Sequence, residues 1–324
     1  MQMRDDLGIT TKLENGKAYL EFALPEKIGR LLSALQIEIW EGAEGERLVF
    51  HGEYSSEEAD SMTALLLRPH LWDGMRDPYV YLVKAQGRFR SVEYGEKMGG
   101  MEKEEKLDPA EDITGEVEMY WRQELTIYDV RVVEKKGILL NEKEFLPHEV
   151  VYRLPPQISD AGTRVEQVRR DLERLVQMGV NVIRLEGTGT GAEGVNCSEV
   201  RTFYSLCRKR GFLTGDLWIR PENLPVYRGL PGETTCQALL AADGRTLTER
   251  YYYYQAKWSS EPVLYPVLST LHRQENGLLS LTIYSNQKKV VLYVDGLLFL
   301  FQSAASGDPE FIFEDIPVAK LPLL

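Results

Sequence analysis

Five acids stand near the C-terminal ends of two predicted strands: Glu186, Glu193, Asp216, Glu222 and Glu233. Two carboxylates sharing one cleft can work as general acid and general base. Glu186, Asp216 and Glu222 are the catalytic candidates of this set, and nothing in their spacing fixes a separation. Arg184 closes the run Val180-Asn-Val-Ile-Arg184 and has two readings, a group on the floor of a site or a buried partner of Glu186 or Asp216. Trp218, Tyr227 and Trp258 offer ring faces that stack on a sugar, and they equally suit capping a core. Arg184, Trp218 and Trp258 are the substrate-binding candidates. Gly187-Thr-Gly-Thr-Gly-Ala-Glu-Gly194 joins a strand to a helix, a place where backbone N–H groups can hold phosphate. It has neither the Walker lysine nor dinucleotide spacing, so it reads as a loop and implies no cofactor.

The elements that would position these residues follow from periodicity. Ile9, Thr11 and Leu13 alternate, Asn15-Gly16 supplies a tight turn, and Ala18, Leu20, Phe22 and Leu24 alternate back. Strands are expected at 35–39, 48–50, 63–67, 79–85 and 125–133, with no helical period before residue 160. The spacing is that of a β-sandwich. The period then changes. Val165, Val168, Leu172, Leu175 and Val176 predict a helix over 163–178, with Thr163 and Glu166 as its capping box and Gly179 as its stop. A buried strand at 180–183, a helix over 197–210 stopped by Gly211, and a strand from Phe212 complete an α/β rhythm. Cys207 lies on the apolar face of the second helix, where a buried thiol is commoner than a nucleophile. Between 217 and 245 only the apolar segment 238–242 is placed. Tyr251-Tyr-Tyr-Tyr254 reads as a strand, an aromatic sugar platform, or a helix with two tyrosines inward. Strands return at 278–284, 290–294 and 311–313, with Asp295-Gly296 as a second tight turn.

Composition narrows the function classes. The chain has 324 residues, 38 Lys and Arg against 50 Asp and Glu, and a net charge of −12. That balance argues against nucleic acid or an anionic membrane as the main partner. Residues 91–118 hold ten acids against three lysines and read as a solvated loop. No apolar run is long enough to span a bilayer, and the first residues show no signal core, so the expected compartment is the cytoplasm. Three cysteines without CxxC spacing and four histidines without i,i+4 spacing give no metal site.

Several segments together resemble glycoside hydrolase family 2, the β-galactosidase and β-glucuronidase family. Arg68-Pro-His-Leu-Trp-Asp73 with Asp77-Pro-Tyr-Val-Tyr81 resembles the end of its immunoglobulin-like domain. Tyr128-Asp-Val-Arg131 with Gly137-Ile-Leu-Leu-Asn141 resembles the entry into its catalytic barrel. Asp171-Leu172, Val180–Arg184, Phe203-Tyr-Ser-Leu-Cys207 and Gly211-Phe-Leu213 resemble early barrel helices and strands. Tyr251–Trp258 with Ser259-Ser-Glu-Pro262 resembles the last barrel helix, and Tyr284-Ser-Asn286 with Val290–Gly296 the sandwich that follows. The resemblance implies a multidomain α+β chain: an immunoglobulin-like β-sandwich over 1–136, a truncated (β/α) barrel remnant over 137–258, and a second immunoglobulin-like β-sandwich over 259–324.

The departures bear on activity. The family's leading jelly-roll domain has no counterpart here. Gly137 to Trp258 is 122 residues, against about 250 for a full barrel. The match leaves roughly strands four to eight missing or compressed. The family's acid/base is a Glu in an Asn-Glu pair after its fourth strand, and its nucleophile is a Glu after its seventh. Here Asn141-Glu142 falls instead on the turn before strand one. The family's His-Tyr-Pro is replaced by Gly187–Gly191, and its Arg-Gly-x-Asn-x-His by the stretch His148–Arg153. The expectation is a catalytically degenerate protein with a carbohydrate-binding, structural or partner-associated role. The rivals are a hydrolase with a rebuilt or intersubunit carboxylate site, and an interaction scaffold. A half barrel would expose apolar sheet faces, so a homodimer or partner subunit is expected to cover them.

Overall fold

The computed structural model describes residues 7–92, 113–134, 136–155, 161–186, 197–215, 224–228, 238–275, 277–304 and 307–317. The chain divides into two compact units, Met1–Phe145 and Leu146–Leu324.

The first unit is a β-sandwich. Its strands are β1 (Gly8–Glu14), β2 (Lys17–Ala23), β3 (Leu32–Glu41), β4 (Arg47–Ser55), β5 (Thr63–Leu67), β6 (Tyr81–Val92) and β7 (Ile113–Leu125), with one helical turn, α1 (Glu26–Gly29). Asn15 and Gly16 take positive φ and set the β1–β2 register as expected. Sheet β1-β2-β5 faces sheet β4-β3-β6-β7. Alternation puts Ala18, Leu20 and Phe22 from one sheet against Leu35, Ile37 and Ile39 from the other, all buried. The last part of the acidic stretch is strand, because β7 begins at Ile113; its residues 93–112 lie outside the described ones. A meander of β8 (Val130–Val133), β9 (Gly137–Leu140) and β10 (Lys143–Phe145) completes this unit. Asn141 and Glu142 both take positive φ in its β9–β10 turn. The Asn141 amide accepts from Asp129 N at 3.0 Å and donates to the Trp72 carbonyl at 2.9 Å, so this Asn-Glu pair is a turn.

The second unit opens with a parallel sheet. Its strands are β11 (Glu149–Tyr152), β12 (Val182–Leu185), β13 (Leu213–Thr214), β14 (Val226–Arg228) and β15 (Ala238–Leu240). Its helices are α2 (Ala161–Met178), α3 (Cys197–Arg210) and α4 (Glu249–Trp258). Both expected helices appear, with stops at Gly179 (φ 87°) and Gly211 (φ 84°). Helix α2 starts at Ala161, so Thr163 is inside the helix and is not its N-cap. The four tyrosines are helical. Tyr251 turns inward, its hydroxyl donating to the Arg174 carbonyl at 2.8 Å.

The strand order is β13-β12-β11-β14-β15, every pair parallel. A (β/α)8 barrel sets each strand beside the next and closes on the first. Here three strands follow that order, and the fourth returns to the free side of β11. The described residues form no closed barrel. Tyr152 on β11 meets Asp171 of α2 and stacks on Phe203 of α3, and α4 lies beside α2. All three helices therefore cover one sheet face. Glu149, Val150, Val151 and Tyr152 are nevertheless all buried.

The chain ends in a smaller sandwich of β16 (Leu264–Arg273), β17 (Leu279–Ser285), β18 (Lys289–Val294), β19 (Leu297–Ser303) and β20 (Glu310–Ile316). Sheet β16-β17-β20 packs on ribbon β18-β19 through Ile283, Val290, Phe311 and Phe313. The ribbon's other side is apolar and exposed, with Tyr293, Leu298 and Phe301 each more than half accessible. The molecule is thus mostly β-sheet with few helices. No helix among the described residues is long and apolar enough to cross a membrane.

Gly179 ends α2 against the end of α4. A Cβ there would strike the Trp258 carbonyl and lie 2.9 Å from Ser259 N, at a φ that disfavours any side chain. Gly179→Ala is expected to destabilise the second unit by about 2–4 kcal/mol, read as a lower urea midpoint. An unchanged midpoint would show that this contact yields freely.

Candidate functional site

The C-terminal edge of the parallel sheet is where open α/β folds place ligands, above all where the strand order reverses. Here that reversal lies between β11 and β14. Arg153, just past β11, holds both sides of it. Its Nε donates to Glu186, just past β12, and its Nη1 lies 3.4 Å from the carbonyl of Arg228 at the end of β14. Glu186 is also tied by its own backbone N–H to the Tyr152 carbonyl at 2.9 Å. Glu186 is exposed and Arg153 is mostly covered.

One layer down, Arg184 Nε donates to Glu149 Oε1 at 3.0 Å across neighbouring strands. Glu149 is fully buried, so the pair sits inside the sheet. The expected partners of Arg184 were Glu186 or Asp216; among the described residues Arg184 bonds Glu149 and Glu186 goes to Arg153, while Asp216 lies outside the described residues.

Beneath the sheet lies a buried carboxylate, Asp171 of α2. Tyr227 donates to Oδ1 at 3.0 Å, Tyr152 to Oδ2 at 3.0 Å and Arg228 Nη2 to Oδ2 at 2.8 Å. Burial, with the Asp171 charge next, pushes the Tyr152 and Tyr227 phenols well above their ordinary range, so both stay protonated and donate. Tyr227 is therefore inaccessible and cannot stack on a ligand, so of its two sequence readings burial favours the core one.

Trp258 lies at the other edge. It stacks on His148 with ring centroids 5.2 Å apart, and His148 immediately precedes β11. His148 Nδ1 is 2.8 Å from the Gly179 carbonyl. Arg184 and Glu186 thus share the end of β12, and Trp258 is not brought to them. Asp216, Trp218, Glu222, Glu193, Glu233 and the loop Gly187–Gly194 lie outside the described residues. Cys207 is buried, which raises its thiol pKa, as its core reading requires. Among the described residues no three His, Cys, Asp or Glu are placed to hold a metal ion.

Sequence reasoning missed Arg153 as a bridge and Asp171 as a hub. The signal for Asp171 was present. It interrupts the stripe Val168, Leu172, Leu175, where an acid must find buried partners.

No family model matches the chain. No curated protein matches it either. Solved structures do. An FMN-binding β-glucuronidase from Facaelibacterium prausnitzii L2-6 superposes with a TM-score of 0.58 at 14% identity, covering 96% of this chain and 70% of that one. A β-glucuronidase from Ruminococcus gnavus, solved with a C6-substituted uronic isofagomine, gives a TM-score of 0.40 at 18% identity and 64% coverage of this chain. The chain spans 28% of the length of that enzyme. At these identities the likeness, which rests on the first of the two, is one of fold.

Two predictions follow from the site's geometry. Asp171→Asn leaves Arg228 without its buried counter-charge and should cost about 3–5 kcal/mol, measured by urea unfolding; a loss under 1 kcal/mol would remove the hub from its structural role. Burial also lowers the His148 pKa, against a smaller opposing effect of its bond to Gly179. The unfolded chain then binds the proton first, near its ordinary value of about 6.5. This contribution is complete above that pH and is lost as pH falls through the folded value. Wild type should therefore lose more thermal stability between neutral pH and about pH 5 than His148→Phe; equal losses would contradict it.

Proposed function

We propose that this chain is a glycoside hydrolase family 2-like protein that binds carbohydrate at the C-terminal edge of its parallel sheet without hydrolysing it. One observation carries the reading: Glu186, the carboxylate described at that edge, is held by Arg153. A retaining glycosidase needs two carboxylates about 5–5.5 Å apart, and an inverting one about 6.5–9.5 Å. Glu149, the nearest other acid on these strands, is buried and paired with Arg184. The Arg153 guanidinium occupies one oxygen of Glu186, the oxygen a reacting group would otherwise reach. The fold likeness to a β-glucuronidase supports the family reading. So does the placing of α2, α3 and α4 on one sheet face, as a barrel does, which favours a shortened barrel as the origin of the sheet.

The test is hydrolysis of aryl β- and α-glycosides, glucuronides and galactosides included, by protein made in a host lacking both activities. No turnover is expected. Turnover abolished by Glu186→Gln, Asp216→Asn or Glu222→Gln would overturn the reading and locate a rebuilt site.

A further inference from the structure

The tyrosine run of α4 forms a second feature, away from the sheet edge. Its outward side and the start of the terminal sandwich enclose an open cleft of about 610 Å³, lined by Glu249, Arg250, Tyr253, Tyr254, Tyr284 and Glu310. That volume lies within the range of small-ligand sites. The Tyr253 ring stands nearly perpendicular to those of Tyr254 and Tyr284, each at 5.4 Å. Tyr284 is backed by Tyr265 at 6.5 Å, and Tyr265 by Tyr252 at 3.8 Å. The rings are therefore held by packing and are not free to collapse into the cleft.

Polar groups face the same space. Glu249 is fixed by Ser269, which donates from N at 3.2 Å and from Oγ at 2.6 Å. Arg250 lies over Tyr254 at 5.5 Å and reaches its hydroxyl at 3.4 Å. The hydroxyls of Tyr253 and Tyr284 and the carboxylate of Glu310 make no hydrogen bond to any other described residue. Burial first, and then nearby carboxylates, raise both phenols above their ordinary pKa, so each keeps a proton to donate.

We propose that this cleft is a binding site for a neutral oligosaccharide, with Tyr284 as the stacking surface, Tyr253 and Arg250 as donors, and Glu310 and Glu249 as acceptors. A pyranose has an apolar C–H face and a rim of hydroxyls that both donate and accept, which is the complement of this set. A cationic ligand fits less well, because Arg250 and Lys257 already lie over the Tyr254 and Tyr253 rings. An acidic sugar is opposed by Glu249 and Glu310 at the cleft and by Asp308 close to Tyr253. The site is distinct from the sheet edge and goes beyond the function proposed there.

The experiment is isothermal titration of the full chain with lactose, cellotetraose, glucuronic acid and tetramethylammonium. Saturable binding of a neutral sugar is expected, with none of glucuronic acid. Tyr253→Phe, which removes a donor hydroxyl, and Glu310→Ala, which removes an acceptor carboxylate, should each weaken it about five- to tenfold. Tyr284→Leu should weaken it further, with thermal unfolding confirming that each variant is folded. Neutral-sugar binding that survives all three variants and is lost in Arg153→Gln would overturn the cleft while leaving the sheet-edge reading intact. Absence of neutral-sugar binding, or tighter binding of tetramethylammonium or glucuronic acid, would also overturn it.

Discussion

A carboxylate buried without partners is among the most costly groups a fold can contain, and Asp171 is such a carboxylate with its partners supplied. They come from two strands: Tyr152 on β11, and Tyr227 and Arg228 on β14. Satisfying it requires β14 to lie beside β11. Once β14 is there, the sheet reverses its order, and the residue leaving β11 at the reversal is Arg153. The contact of Arg153 with the Arg228 carbonyl is downstream of the hub, and so is the burial of Tyr227.

The sequence made some of this legible and left other parts hidden, for physical reasons. Local signals were sufficient where local chemistry decides. Asn15-Gly16 can adopt the positive φ of a tight turn, and Gly179 and Gly211 can end helices at φ values other residues avoid. Strand β14 was invisible because it has three residues, follows Pro225, and is defined by the pairing of Val226 with Val151. No period exists over three residues. Parallel strand order likewise depends on contacts between distant segments, so the expected continuation of a barrel could not be checked from spacing. The tyrosine run shows the intermediate case. Composition left strand, platform and helix open, and packing of Tyr251 on Arg174 decides for a helix.

The site residues divide along the same line. Arg184 was recognised as a strand-end arginine, but its bond to Glu149 depends on the register of two strands that are distant in sequence. Trp258 was recognised as an aromatic with a face to offer, and that face is spent on His148. Charge neutralisation by arginine then gives the sheet edge its character. An arginine-bound carboxylate is held in place and can accept from hydroxyl groups.

The stacking of Trp258 on His148 has a consequence for how such a chain changes over evolutionary time. His148 opens the α/β block and Trp258 closes it, so the two ends of a segment of more than a hundred residues meet within 5.2 Å. A segment with adjoining ends behaves as a cassette. It can be exchanged, shortened or spliced elsewhere without moving apart the pieces on either side of it.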